Sequence, residues 1–236
     1  MILGQPLIDV FKNSIVMIIL LVCSIIALAL IIERFLYFVR HGFDTRVGFL
    51  RFSQVLRNQG TSAALAYANQ KKNPLFGLFT VALQNQHLDA DNLYDVLSSY
   101  VIEEKLKFDR YLGGMGTLAN AATLLGLLGT VTGLIRAFHN ISITGSGGPA
   151  VISAGIAEAL LTTAFGLFIG IPTLFFYNYY TKKSNELAMS LDGVCDKVIV
   201  LLETMKKKSG VVNPEPVVTP KPTPPPPPPE DTTWKF

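Results

Sequence analysis

Charge is what this chain most lacks. Only 16% of its 236 residues are Asp, Glu, Lys or Arg, while 50% are hydrophobic and the mean hydropathy is +0.40. Soluble domains carry about a quarter charged residues, so the deficit excludes an ordinary soluble protein and points to a membrane protein with a modest soluble part. Cysteine is almost absent. Cys23 and Cys195 stand alone and form neither a disulfide framework nor a zinc spacing. His41, His87 and His139 are far apart in sequence, so no metal site and no cofactor are expected. Catalytic signatures are missing too: there is no G-x-S-x-G, no H-E-x-x-H and no dinucleotide fingerprint. The stretch Gly126-Leu-Leu-Gly-Thr-Val-Thr-Gly133 lacks the Gly-Lys-Ser/Thr ending of a phosphate loop. These absences argue against an enzyme, and the small net charge of +3 raises no expectation of a nucleic-acid partner.

What the chain does have is three long apolar runs. The first, Ser14 to Ile32, is uncharged and long enough to cross about 30 Å of hydrocarbon as a helix. A signal peptide would be shorter and would end on a small-residue cleavage site, so the run reads as a retained membrane helix within an N-terminal segment 1–39. Lys12 precedes it, and Arg34, Arg40, Arg46 and Arg51 follow. The positive-inside rule then puts the N-terminus outside and the next segment in the cytoplasm. Residues 40–113 read as a cytoplasmic helical region. Gly60 breaks one helix there, Asn73-Pro74 opens another through about Gln86, and Asp89 caps a longer one.

The second span is predicted at about Leu118 to Phe138 and the third at about Val151 to Tyr177. Both belong to a segment 114–208 that stays helical in pattern to Lys208. Arg136 near the end of the second span is placed to snorkel, the linker 139–149 reads as an outside loop, and Pro172 is expected to kink the third helix. Residues 209–236, with six consecutive prolines from Pro224 to Pro229, read as a disordered polyproline tail, with docking of a partner around Trp234 as the alternative. The fold expected is all-α: an integral membrane protein with three transmembrane helices, whose long helices extend into a cytoplasmic helical bundle.

Glu158 is the anomaly in the third run. A charged side chain near a bilayer centre costs about 2.5–3.5 kcal/mol on insertion scales, so its carboxyl needs a proton, a cation or a wet path. At helical spacing Glu158, Thr162, Gly166 and Gly170 form one stripe. In the second run Ala122, Gly126, Gly129 and Gly133 form a small-residue seam, and Thr123 and Thr130 share a face. Both runs contain G-x-x-x-G, which lets helices approach closely. A purely structural role remains open at this point, with Glu158 paired to Arg136 or to another subunit.

These blocks resemble a known family. Leu124-Leu-Gly-Leu-Leu-Gly-Thr-Val131, with Gly133 and Phe138, is similar to the second membrane helix of the ExbB/TolQ family. Gly155-Ile-Ala-Glu-Ala-Leu-Leu-Thr-Thr-Ala164, with Gly166-Leu167, Ile171-Pro172 and Tyr177-Asn178, is similar to the third. The flagellar protein MotA is a more distant relative whose four spans fit less well. The resemblance implies a bacterial inner-membrane subunit with a periplasmic N-terminus and a cytoplasmic C-terminus, forming a ring, expected as a pentamer, around an ExbD/TolR-like single-helix partner that carries a membrane aspartate. It implies use of the proton motive force to energise envelope processes through a TonB- or TolA-like transducer. Carried over by position, Thr130, Glu158 and Thr163 are the implied pore-side residues, with Thr162 second on stripe grounds. One departure is Thr123, where the family usually has proline. Two other readings compete: a channel or transporter made of this chain alone, and a structural membrane scaffold.

Overall fold

The computed structural model describes residues 14–71, 73–144, 149–208 and 210. The readings for the N-terminal residues before Ser14, for residues 145–148 of the linker and for the proline tail with Trp234 lie outside the described residues, while residues 139–144, read above as the start of that linker, are helical. The element order is α1 (Ile15–His41), α2 (Thr45–Ala68), α3 (Pro74–Gln84), α4 (Ala90–Asp109), α5 (Leu112–Thr144) and α6 (Pro149–Lys208). Among the described residues no strand occurs. Three helices are long and apolar enough to cross a membrane, with their apolar windows in Ile15–Ala68, Ala90–Ile143 and Gly155–Lys207.

Local chemistry accounts for the breaks. The Asp44 side chain accepts hydrogen bonds from Arg46 N and Val47 N at the start of α2, the usual N-cap arrangement. Gly60, at φ 81° and ψ −177°, bends α2 inside its length, a conformation a side chain resists. Asn73 accepts from Phe76 N and Pro74 opens α3. That helix stops at Gln84, two residues before the expected end, because Asn85 turns the chain and its amide donates back to Val81 O. Asp89 sits in the extended N-cap conformation of α4 but makes no backbone cap; its carboxylate takes the Asn92 amide instead.

Helices α5 and α6, of 33 and 60 residues, outreach the predicted spans. At 1.5 Å per residue they measure about 50 and 90 Å, so both project beyond a hydrocarbon layer of about 30 Å. Helix α6 continues through Pro172. Its lower half forms the spine of the soluble part. Leu191, Val198 and Leu202 are buried there with Phe52, Leu56, Phe79, Leu97 and Phe108 of α2, α3 and α4, and the Phe52 and Phe79 rings stack at 4.0 Å. A second cluster joins Val16, Met17, Leu20 and Ala27 of α1 to Ala122 of α5 and Ile169 of α6. The rest of α1 is largely bare: Ile18, Leu21, Val22, Ile25 and Leu28 are exposed, an apolar surface suited to lipid or to further chains.

Arg34 ties the two parts together. It is 1% exposed. Its Nε and Nη2 hold the Glu33 carboxylate at 2.5 and 2.7 Å, and its Nη1 donates to the carbonyls of Lys107 and Phe108 at 3.2 Å. Those carbonyls end α4, where helical carbonyls lack intrahelical donors and attract cations. Tyr111, which turns the chain into α5 at φ 65°, lies under the same guanidinium at 5.4 Å. An open cavity of about 720 Å³ runs beside this junction, lined by Glu33, Arg34, Tyr100, Glu104 and Lys107 among others. Arg34→Ala should lower stability by about 3 kcal/mol, because hydrogen bonds to a charged group are worth about 1.5–3 kcal/mol; thermal unfolding in detergent measures it.

Cys195 is buried in α6. Burial, with Asp192 and Asp196 nearby, pushes its thiol from the ordinary 9.0 up to about 12. Because the folded value is raised, this group's contribution is present in full below pH 9.0 and is lost as pH rises toward about 12. Melting temperatures of wild type and Cys195→Ala across that range should therefore converge as the pH climbs.

Candidate functional site

Helices α5 and α6 approach each other closely along a seam of small residues. A Cβ on Gly166 would lie 2.6 Å from the Ala122 carbonyl oxygen and 2.7 Å from the Gly126 Cα. A Cβ on Gly133 would lie 2.9 Å from that of Ala159, and one on Gly170 would lie 2.9 Å from the Ala119 carbonyl oxygen. Any side chain at Gly129 would meet Thr162. Such contacts leave no room for larger residues, and without a hydrophobic drive between helices in lipid, close van der Waals approach is what holds them. All five glycines expected to pack, Gly126, Gly129, Gly133, Gly166 and Gly170, are buried.

The polar residues of the two helices divide along this seam. Thr162 is buried within it, 1% exposed, its hydroxyl donating to Ala159 O at 2.7 Å. Glu158, one stripe position away, sits at the seam's margin with its side chain 30% exposed. Its Oε1 is 3.5 Å from Arg136 Nη1. Thr163 lies at the seam's other margin, about 140° around the helix from Glu158 at 100° per residue. Its hydroxyl crosses to α5 and donates to Gly126 O at 2.9 Å. Thr130 and Thr123 donate to carbonyls of their own helix, Leu127 O at 2.6 Å and Ala119 O at 3.2 Å. Hydroxyls satisfied in this way cost little in an apolar surrounding.

Glu158 and the threonines therefore lie on opposite edges of the α5–α6 pair. Phe165, two turns after Glu158, and Leu125, three turns before Arg136, share the faces of those residues. Both pack against the cluster that seats the start of α1. The ion pair is thus on the edge that α1 covers further down. The other edge carries Thr123, Thr130 and Thr163 among exposed Leu127, Leu160 and Leu167, and α1 does not cover it. Sequence periodicity alone places the threonines of α5 on a common face but not the edge to which α6 turns Glu158.

Arg136 is engaged in an ion pair, beyond the snorkelling expected of it. Pairing to Arg136 is one of the alternatives the sequence leaves open for Glu158, and the packing of α5 on α6 brings the two together. Among the described residues no group of three His, Cys, Asp or Glu could hold a metal ion.

Residues 70–193 match the MotA/TolQ/ExbB proton channel family. The biopolymer transport protein ExbB of Neisseria gonorrhoeae is 28% identical over 144 residues, 61% of this chain and 63% of that protein. ExbB of Salmonella typhimurium is 38% identical over 96 residues, 39% of each chain. The matched stretches span less than two thirds of these relatives' own length. In the solved structures, a chain of the flagellar MotAB stator complex from Bacillus subtilis covers 88% of this chain and 87% of its own at TM-score 0.59 and 19% identity. One from C. jejuni MotAB covers 91% and 89% at 0.60 and 13%. At these identities the likeness is one of fold.

The seam makes its own prediction. Gly166→Ala should lower the melting temperature, since its methyl meets backbone on α5. Gly193→Ala, with nothing within 4 Å, should leave it unchanged or raise it by the helix-propensity gain of up to about 1 kcal/mol. Equal effects at the two sites would contradict the packing described.

Proposed function

The chain belongs to the MotA/TolQ/ExbB proton channel family, and from that premise we propose that it is the ring-forming subunit of an ExbBD/TolQR-type motor in the bacterial inner membrane. Five copies of the chain surround the membrane helices of an ExbD/TolR-like partner. Proton flow past them drives movement that energises an envelope process through a TonB- or TolA-like transducer. The ExbB names of the curated relatives favour uptake of the TonB-dependent kind.

The observation that carries this reading is the uncovered edge of the α5–α6 pair. It offers hydroxyls at Thr123, Thr130 and Thr163 in an otherwise apolar wall. In a ring, that edge lines a passage. A partner carboxylate is held back by such a wall while charged and crosses it once protonated, because an uncharged carboxyl loses far less on leaving water. Hydroxyls spaced along the wall give the protonated group and its water somewhere to hydrogen-bond. Glu158, paired with Arg136 on the other edge, supplies a fixed charge toward the linker end of the helix pair, and buried Thr162 serves the packing. Thr123 adds a hydroxyl where the resembling family usually has a kinking proline.

The test is proton-dependent output in cells and proton flux in liposomes. Glu158→Gln, in a variant that still assembles, should cut coupled activity by at least about tenfold, equivalent to about 1.4 kcal/mol on the barrier. Thr163→Val should weaken the α5–α6 hairpin by about 1 kcal/mol and slow flux. Undiminished coupling in Glu158→Gln would remove the charge from the mechanism, and partner-free proton leak from the purified chain would favour a stand-alone channel.

A further inference from the structure

Charge is segregated on the soluble helices. Between Thr45 and Leu88 the sequence has Arg46, Arg51, Arg57, Lys71 and Lys72, and no Asp or Glu. Helix α2 buries Gly48, Phe52 and Leu56. On its opposite face Arg46, Leu50 and Arg57 fall within about 40° of one another at about 100° per residue. All three are exposed, with exposed Val47 beside them. Helix α4 carries the other sign. It buries Leu93, Leu97, Val101 and Phe108, and its outer face presents Asp91, Asp95, Ile102 and Leu106, within about 60° of one another. Asp192 and Asp196, exposed on α6, extend this negative surface and act electrostatically on Tyr94 of α4. Helix α3 packs against both α2 and α4, and the two outer faces point away from that shared core. Among the described residues no ion pair joins Arg46, Arg51 or Arg57 to a carboxylate, and none joins Asp91, Asp95, Asp192 or Asp196 to a cation.

The two faces also share a depth. Gly48 faces Leu75 and the Phe52 and Phe79 rings stack, so α2 and α3 descend side by side from the membrane end. Helix α4 climbs back, from Leu88 beside Lys206 at the lower end of α6 to Phe108 beneath Arg34. On the way Tyr100 donates to Pro74 O, which sets it level with the start of α3 and hence with Gly48. Arg57 lies nine residues below Gly48, and Asp91 nine below Tyr100, about 13 Å in each case. Rotation about an axis normal to the membrane preserves depth, so Arg57 of one copy comes level with Asp91 and Asp95 of the next, and Arg46 and Leu50 come level with Ile102.

We infer that the basic outer face of α2 in one copy docks on the acidic outer face of α4 and α6 in the next, a head-to-tail contact between copies of this chain. A face that met its own kind would set like charges together, whereas head-to-tail contacts generate rings when the rotation closes. Leu50 and Val47 meet Ile102 and Leu106 as the apolar part of the contact, and the charges decide which face pairs with which. The inference rests on the ring of the proposed function and names the surfaces that build it outside the membrane.

Oligomer size of the full chain in mild detergent, measured by native mass spectrometry without any partner or proton gradient, tests the contact. Arg46→Glu with Arg57→Glu, and separately Asp91→Lys with Asp95→Lys, should each lower the ring population at least about tenfold, since like charges set face to face cost several kcal/mol. All four substitutions in one chain restore opposite charges and should return the ring to near the wild-type population. A wild-type oligomer indifferent to both charge-reversed faces, or a combined variant that stays dispersed, would overturn the contact. An unchanged oligomer in Arg46→Glu with Arg57→Glu, whose binding to vesicles of anionic lipid falls, would give the basic face to lipid and overturn it too. A monomeric wild type would remove the ring and this contact together, while loss of coupling in Glu158→Gln bears on the proposed function alone.

Discussion

Close approach of two backbones is the constraint on which the rest depends. In hydrocarbon neither α5 nor α6 gains from burying leucine, because lipid is as apolar as leucine. The helices adhere because Gly126, Gly129, Gly133, Gly166 and Gly170 remove side chains from the line of contact and let main-chain atoms touch. The spacing also fixes rotation. Once the glycines face inward, every other residue of both helices is assigned to one edge, the other edge, or the back.

That assignment separates two kinds of polarity. Hydroxyls on the uncovered edge are satisfied by carbonyls and present a mildly polar, uncharged surface. Glu158 and Arg136 face each other on the edge where α1 packs lower down. A carboxylate and a guanidinium side by side are cheaper in an apolar surrounding than either alone. The threonine edge is therefore free of fixed charge among the described residues.

Outside the membrane, the same α6 serves as the spine on which α2, α3 and α4 assemble. A helix of 60 residues is a stiff lever between the seam and the soluble bundle. Arg34 reinforces the connection from the other side by bonding the end of α4 at the point where Tyr111 starts α5. Displacement of the seam helices would be felt in the bundle through these two joints.

Much of this was legible in the residues. The apolar runs, Gly60, Asn73-Pro74 and the glycine spacing each act locally, through hydrophobic length, backbone freedom or capping, and so predict the helices and the small-residue faces directly. The resemblance at Leu124–Phe138 and Gly155–Asn178 agrees with the family match over residues 70–193. Periodicity could not say which edge a side chain takes once two helices meet. Thr162 shares the stripe of Glu158 yet is buried against Gly129, while Thr163 crosses to Gly126. Nor does local pattern bring Arg136 to Glu158, or Arg34 to carbonyls more than seventy residues away. Sequence by itself determined that the chain forms long apolar helices with a polar anomaly and faces of small residues, because those properties follow from each residue and its near neighbours. Tertiary structure alone decided which polar groups meet, because that depends on the rotation and register of helices locked together by contacts no single helix contains.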